Sequence, residues 1–89
     1  MVINRGDLEK LILQVARDSF DRRKFRRRQL MDAAEKEARS RGYWKLDDDK
    51  LSGSAGLKSR GWAAIDWRIT DLGRRGGLVH VARDWWWLP

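Results

Sequence analysis

Cysteine is absent from the 89 residues, which rules out disulfide staples and thiolate metal sites and leaves packing to hold the fold. The only histidine is His80, so no pair of imidazoles exists for a metal or a proton relay. On its strand a packing or surface role is expected of it. There is no glycine-rich phosphate loop followed by lysine, and no serine–histidine arrangement suited to nucleophilic attack. No enzyme activity, cofactor or metal is therefore expected. Long apolar runs are missing too. None approaches the ~18 residues that a membrane span requires, and the first residues lack the apolar core of a signal peptide. These absences lead to the expectation of a soluble protein with no membrane partner, cytoplasmic and nucleoid-associated, or nuclear in a eukaryote.

What the chain has in quantity is positive charge. Twenty Lys and Arg stand against thirteen Asp and Glu, for a formal charge of +7 and a pI near 10.6. Such a balance concentrates polyanions around the molecule, with nucleic acid the leading class and anionic membrane surfaces the second. Eighty-nine residues make a single domain, residues 1–89. A chain of this size buries somewhat over ~60% of its unfolded surface. Six tryptophans, two phenylalanines and the leucines supply the core.

After a short lead-in at Met1–Gly6, expected to fray, the apolar positions Leu8, Leu11, Ile12, Val15 and Ala16 recur at helical spacing, with Phe20 one turn on. Asn4 or Asp7 is placed to cap this helix. The basic stretch from Arg22 to Arg28 surrounds one aromatic, Phe25. Lys24–Arg26 reads as a short extended piece that drops Phe25 into the core. A second helix is expected over Arg27–Arg41, burying Leu30, Ala33, Ala34 and Ala38 with Met31 on the flank, and ending at Gly42. Arg26 is a poor N-cap, and arginines in the first turn oppose the helix dipole by a few tenths of a kcal/mol each. A sequence that accepts this charge has a use for it elsewhere, and phosphate contact by Arg26, Arg27 and Arg28 is the simple candidate.

Tyr43–Lys58 reads as a loop anchored by Tyr43, Trp44 and Leu46. It carries the acidic triplet Asp47-Asp48-Asp49 and a flexible Ser52–Gly56 tract. The triplet lacks the alternating ligands and terminal glutamate of an EF-hand, and a solvated loop is preferred for it.

The informative stretch is Ser59–Leu88. Ser59 is a natural N-cap for a third helix, with Ser54 the alternative if the helix starts near Leu57. Trp62, Ile65, Ile69 and Leu72 follow at steps of three, four and three on one face. Arg60, Ala64, Trp67, Arg68, Asp71 and Arg75 take the opposite side. Gly73, Gly76 and Gly77 stop the helix. Strands at Leu78–Ala82 and Trp85–Leu88 follow, joined by a tight Arg83-Asp84 turn. Trp86 and Leu88 should face the core, and Trp85 and Trp87 the other side. The expected fold is therefore α+β, mainly α: a winged helix with three helices, a short lead-in strand and a C-terminal hairpin wing.

The residues Arg60-Gly61-Trp62-Ala63, then Leu72, then Gly77-Leu78-Val79, then Trp86 and Leu88, resemble the amino-terminal winged-helix domain of Mrr-type restriction endonucleases. The likeness covers about the last third of the chain, and the longer, more basic second helix departs from it. No nuclease domain lies within the 89 residues, so the family's nuclease chemistry is not carried over. The resemblance implies a DNA-binding accessory domain or a small protein on the same plan.

Double-stranded DNA is therefore the expected partner. The third helix would lie in the major groove and present Arg60, Ala64, Trp67, Arg68 and Arg75. Arg60 and Arg68 are the candidates for guanine edges, and Ala64 or Thr70 for a thymine methyl. Trp67 belongs to that set by position, although packing beside the core stripe is the preferred reading for it. Arg26, Arg27, Arg28, Lys58 and Arg83 are assigned to phosphates. Single-stranded nucleic acid or RNA is a further possible partner, because aromatics among arginines also suit stacking. The alternative class is a protein-interaction or homodimerisation module that uses Trp85 or Trp87, with Phe20 and Trp44 in reach.

Overall fold

The computed structural model describes residues 1–51 and 58–89. The alternative cap Ser54, the start near Leu57 and the Ser52–Gly56 tract lie outside the described residues.

Elements run in the order α1 (Arg5–Phe20), β1 (Phe25–Arg26), α2 (Arg27–Ser40), a 3-10 turn (Leu46–Asp49), α3 (Arg60–Arg74), β2 (Val79–Ala82) and β3 (Trp85–Trp87). The result is α+β and mainly helical. Three helices pack on a three-stranded antiparallel sheet of order β1-β3-β2. No helix among the described residues is long and apolar enough to cross a membrane.

Local chemistry explains the helix starts. The Asn4 side chain accepts from the Asp7 amide at 2.8 Å and Ser59 from the Trp62 amide at 3.1 Å, each satisfying an otherwise orphaned donor. Arg26 has no acceptor to offer as a cap. Gln29 compensates by reaching back, its Oε1 accepting from the Arg26 amide at 2.8 Å. Gly42 and Gly76 adopt φ of 78° and 80° after α2 and α3, a conformation that costs glycine little. Gly73 belongs to α3 rather than to its stop. It lies where a Cβ would press on the Trp86 ring at 3.0 Å.

The core is built from Leu8, Leu11, Ile12, Val15 and Ala16 of α1, Leu30, Met31 and Ala34 of α2, and Ile65, Ile69 and Leu72 of α3. Phe25, Leu78 and Trp86 close it from the sheet, while Ala33, Trp62 and Leu88 are only partly buried. Phe25 and Trp86 face each other across β1 and β3, so both point inward, and Phe20 stacks on Phe25 at 4.8 Å between centroids. Fully burying a side chain such as Phe25 or Ile12 stabilises by about 1.5–3 kcal/mol, a large share of a small domain's total.

Three expectations fail. The lead-in is not frayed: Met1 and Ile3 pack against the core, and the Val2 amide donates to the Tyr43 carbonyl at 3.0 Å. The loop is not anchored by Leu46, which is exposed, nor is its acidic triplet simply solvated. Asp48 is buried, pairing with the Met1 amine at 2.8 Å and accepting from the Lys45 amide at 2.7 Å. Asp49 takes the Trp44 indole N–H and Arg39, while Asp47 pairs with Lys50 and Arg60. Each of the three adjacent carboxylates thus engages two partners of its own.

Candidate nucleic-acid interface

On α3 the buried positions Gly61, Ile65, Ile69 and Leu72 fix which side faces out. At 3.6 residues per turn, Arg60, Trp67 and Arg74 repeat every seven residues and form one outward file, with Ala63 beside it. Trp67 is 61% exposed, so it stands on this file and not beside the core stripe as preferred from sequence. Arg60 reaches Asp47 at 3.3 Å, and the Arg74 side chain, 71% exposed, lies 3.8 Å from Asp71.

Arg68 and Arg75 do not belong to that file. They lie on the flank facing α1, where Glu9 of α1 takes both: Arg68 Nη1 at 3.2 Å and Arg75 Nη2 at 2.5 Å. Arg68 also meets Asp71 at 2.8 Å, and its side chain keeps only 14% of its exposure. The expected guanine-reading role of Arg68 is therefore corrected: its guanidinium is committed to bracing α1 against α3. Hydrogen bonding from Arg75, with further help from Arg68, outweighs desolvation and holds the Glu9 carboxyl below its ordinary range. Ala64 occupies the same flank, half-buried against the core.

The opposite flank of α3 shows a second correction. Arg27, assigned to phosphate, instead donates through Nε to Asp66 Oδ1 at 2.6 Å. Its Nη2 donates to the Asp66 carbonyl at 2.7 Å and to Thr70 Oγ1 at 2.6 Å. Its guanidinium also lies 5.3 Å from the centre of the Trp86 ring. Lys58 adds a further ion pair to Asp66, so it too is partly committed. Burial pushes the Asp66 carboxyl up, but Lys58 and Arg27 together more than offset it and the net displacement is downward.

The remaining assigned cations keep their charge available. Among the described residues Arg26, Arg28 and Arg83 make no ion pair and all are exposed. Arg26 lies over Trp85 at 5.1 Å and Arg28 over Trp62 at 5.7 Å, contacts that orient a guanidinium without neutralising it. Arg83 sits at the hairpin tip with φ of 44°, its carbonyl accepting from His80 Nε2. His80 itself stacks on Trp86 at 4.5 Å, a packing role.

The structure thus brings Arg60 and Trp67 together, adds Ala63 and Arg74 to them, and moves Arg68, Arg75 and Arg27 into internal braces. Arg74 was legible: its seven-residue spacing from Trp67 marks it as outward. The braces were not, because Glu9 and Asp66 meet them only after folding. No protein-family model matches the chain, and neither the curated proteins nor the solved structures compared with it include a match.

Proposed function

We propose that this protein is a winged helix that binds double-stranded DNA, with α3 in the major groove. The element order and the sheet order β1-β3-β2 are compatible with a winged helix, and in this reading the Arg83 turn is the wing tip. The observation that carries the reading is the exposed Arg60–Trp67–Arg74 file on α3, together with Arg26 and Arg28, which are exposed and make no ion pair among the described residues. Arg60 and Arg74 are the groups for base edges, and Arg26, Arg28 and Arg83 those for phosphates. The likeness to the amino-terminal domain of Mrr-type endonucleases supports the same role, as a DNA-reading accessory unit.

The three phosphate contacts set the salt dependence. Log affinity for duplex DNA should fall with log salt at a slope of about −3. Titrating one duplex at several salt concentrations tests this, and a flat response would count decisively against it. A second reading, a protein-docking module, draws on the exposed sheet face of Val79, Val81, Trp85 and Trp87. Phe20 and Trp44 do not join that face, since Phe20 stacks on Phe25 and Trp44 packs on Gly61. A dimer in size-exclusion chromatography that persists at high salt and ignores DNA would favour this second reading.

A further inference from the structure

The outer face of the sheet has a composition that α3 does not explain. Trp87 pairs in register with Val79, and Trp85 with Arg26, so these four side chains share the face turned away from the core. Trp85 is 40% and Trp87 37% exposed, set about 6.6 Å apart along one strand. Beside Trp87 a groove of about 450 Å³ runs along the end of α1, with Arg17, Arg22 and Asp21 on its wall. Neither arginine makes an ion pair among the described residues. Asp21 holds φ 51° and ψ −117°, a conformation that glycine would adopt without penalty, and puts a carboxylate on the groove wall.

The charge around this face decides its occupant. A second copy would bring Arg17, Arg22 and Arg26 against the same arginines, at a repulsive cost. An anionic chain with flat, stackable groups meets every feature. Its phosphates answer the arginines, its bases lie on the two indoles, and a base N–H, such as N3–H of thymine, finds Asp21. We propose that the outer sheet face and its groove bind an unpaired stretch of single-stranded DNA, with Trp87 and Trp85 as stacking surfaces and Arg17 and Arg22 on the backbone. DNA is chosen over RNA for continuity with the duplex reading of α3, since no feature named on this face calls for a 2′-hydroxyl. The proposal shares the nucleic-acid reading given above, and Arg26 is common to both, but Trp85, Trp87, Arg17 and Arg22 belong to a different surface from α3.

The test is fluorescence anisotropy of the full chain with a labelled oligo(dT) of about 12 nucleotides and, separately, with duplex DNA. Trp87→Leu should weaken oligo(dT) binding about tenfold and Arg22→Ala several-fold, while duplex affinity changes by less than about twofold. Arg22 is exposed and makes no ion pair among the described residues, so its variant keeps the test open if Trp87→Leu does not fold. Ultraviolet cross-linking should place the oligonucleotide on the peptide that contains Trp85 and Trp87. The proposal is overturned if oligo(dT) does not bind, or if neither variant affects it. It is equally overturned if polyglutamate displaces the oligonucleotide as well as DNA does, if oligo(U) binds over tenfold more tightly, or if the face proves buried in a stable dimer. Oligo(dT) binding that survives while duplex binding fails would remove the α3 reading alone.

Discussion

Arg27 of α2 holds Asp66 of α3 twice, at the carboxylate and at the backbone carbonyl, and extends to Thr70 one turn further on. Both ends of the ion pair are about three-quarters covered, with side-chain exposure of 23% each. Charge-assisted hydrogen bonds in such a setting contribute about 1.5–3 kcal/mol. Arg27→Ala should therefore cost about 2 kcal/mol and lower the melting temperature by on the order of 10 °C. Arg27→Lys should recover only part of it, because an ammonium cannot match the planar fork that serves three acceptors. Thermal melts followed by circular dichroism check this. A fully stable Arg27→Ala protein with weakened duplex binding would restore the phosphate role.

The same braces predict an acid limb of stability. Glu9 and Asp66 both have folded-state carboxyls held below their ordinary values by arginine and lysine partners. Between the depressed folded value and the unfolded one, near 4, the unfolded chain binds more protons, so stability rises with pH there. The contribution is complete above about pH 5 and is lost as pH falls through the folded values. Denaturant midpoints measured from pH 7 down to pH 2 should decline only in the acid part. Glu9→Gln and Asp66→Asn should each flatten that decline while lowering stability at pH 7.

Gly61 occupies the first turn of α3, where a Cβ would overlap the Trp44 ring. That ring is held by the Asp49 carboxylate at 3.1 Å and by Arg39, whose guanidinium lies 4.7 Å from the ring centre. Helix propensity alone would favour Gly61→Ala by up to ~1 kcal/mol. Displacing a ring held from two sides should reverse the sign, for a net loss of about 1–2 kcal/mol. Equilibrium unfolding of the single variant decides between the two effects. A stabilised Gly61→Ala protein would mean that Trp44 yields freely.

These braces also mark where reading from sequence stops. Periodicity located α1 and α3, and alternation placed Trp86 inward with Trp85 and Trp87 outward, because side-chain direction follows directly from the repeat of each element. The inward turn of Phe25 was legible for a similar reason, as the lone aromatic in a basic run. What each arginine touches was not. Arg68 and Arg60 look alike on a helical projection, and only the approach of α1 brings Glu9 to the first. Likewise Asp48 reads as one of three equivalent aspartates until the lead-in folds over it and buries it. Local pattern determines direction, whereas partnership between distant segments arises at the tertiary level.

That distinction gives a direct comparison of two arginines on one helix. Arg68 is covered and held by Glu9 and Asp71, while Arg74 is open and lies 3.8 Å from the nearest carboxylate oxygen of Asp71. Arg68→Ala removes both ion pairs and leaves Glu9 to Arg75 alone, so it should cost about 1–2 kcal/mol of stability. Once folded, that variant should bind duplex DNA with its sequence preference intact. Arg74→Ala removes a surface charge with a weak partner and should change stability by less than ~0.5 kcal/mol. If α3 lies in the groove, the same change should weaken duplex binding by about 1–3 kcal/mol where it meets a guanine, and relax preference at that position. Binding-site selection and melting curves on the two variants, run in parallel, separate the roles. An Arg74 variant that binds and selects as the parent does would remove Arg74 from the interface, and a destabilised Arg74 variant would show that its charge serves the fold.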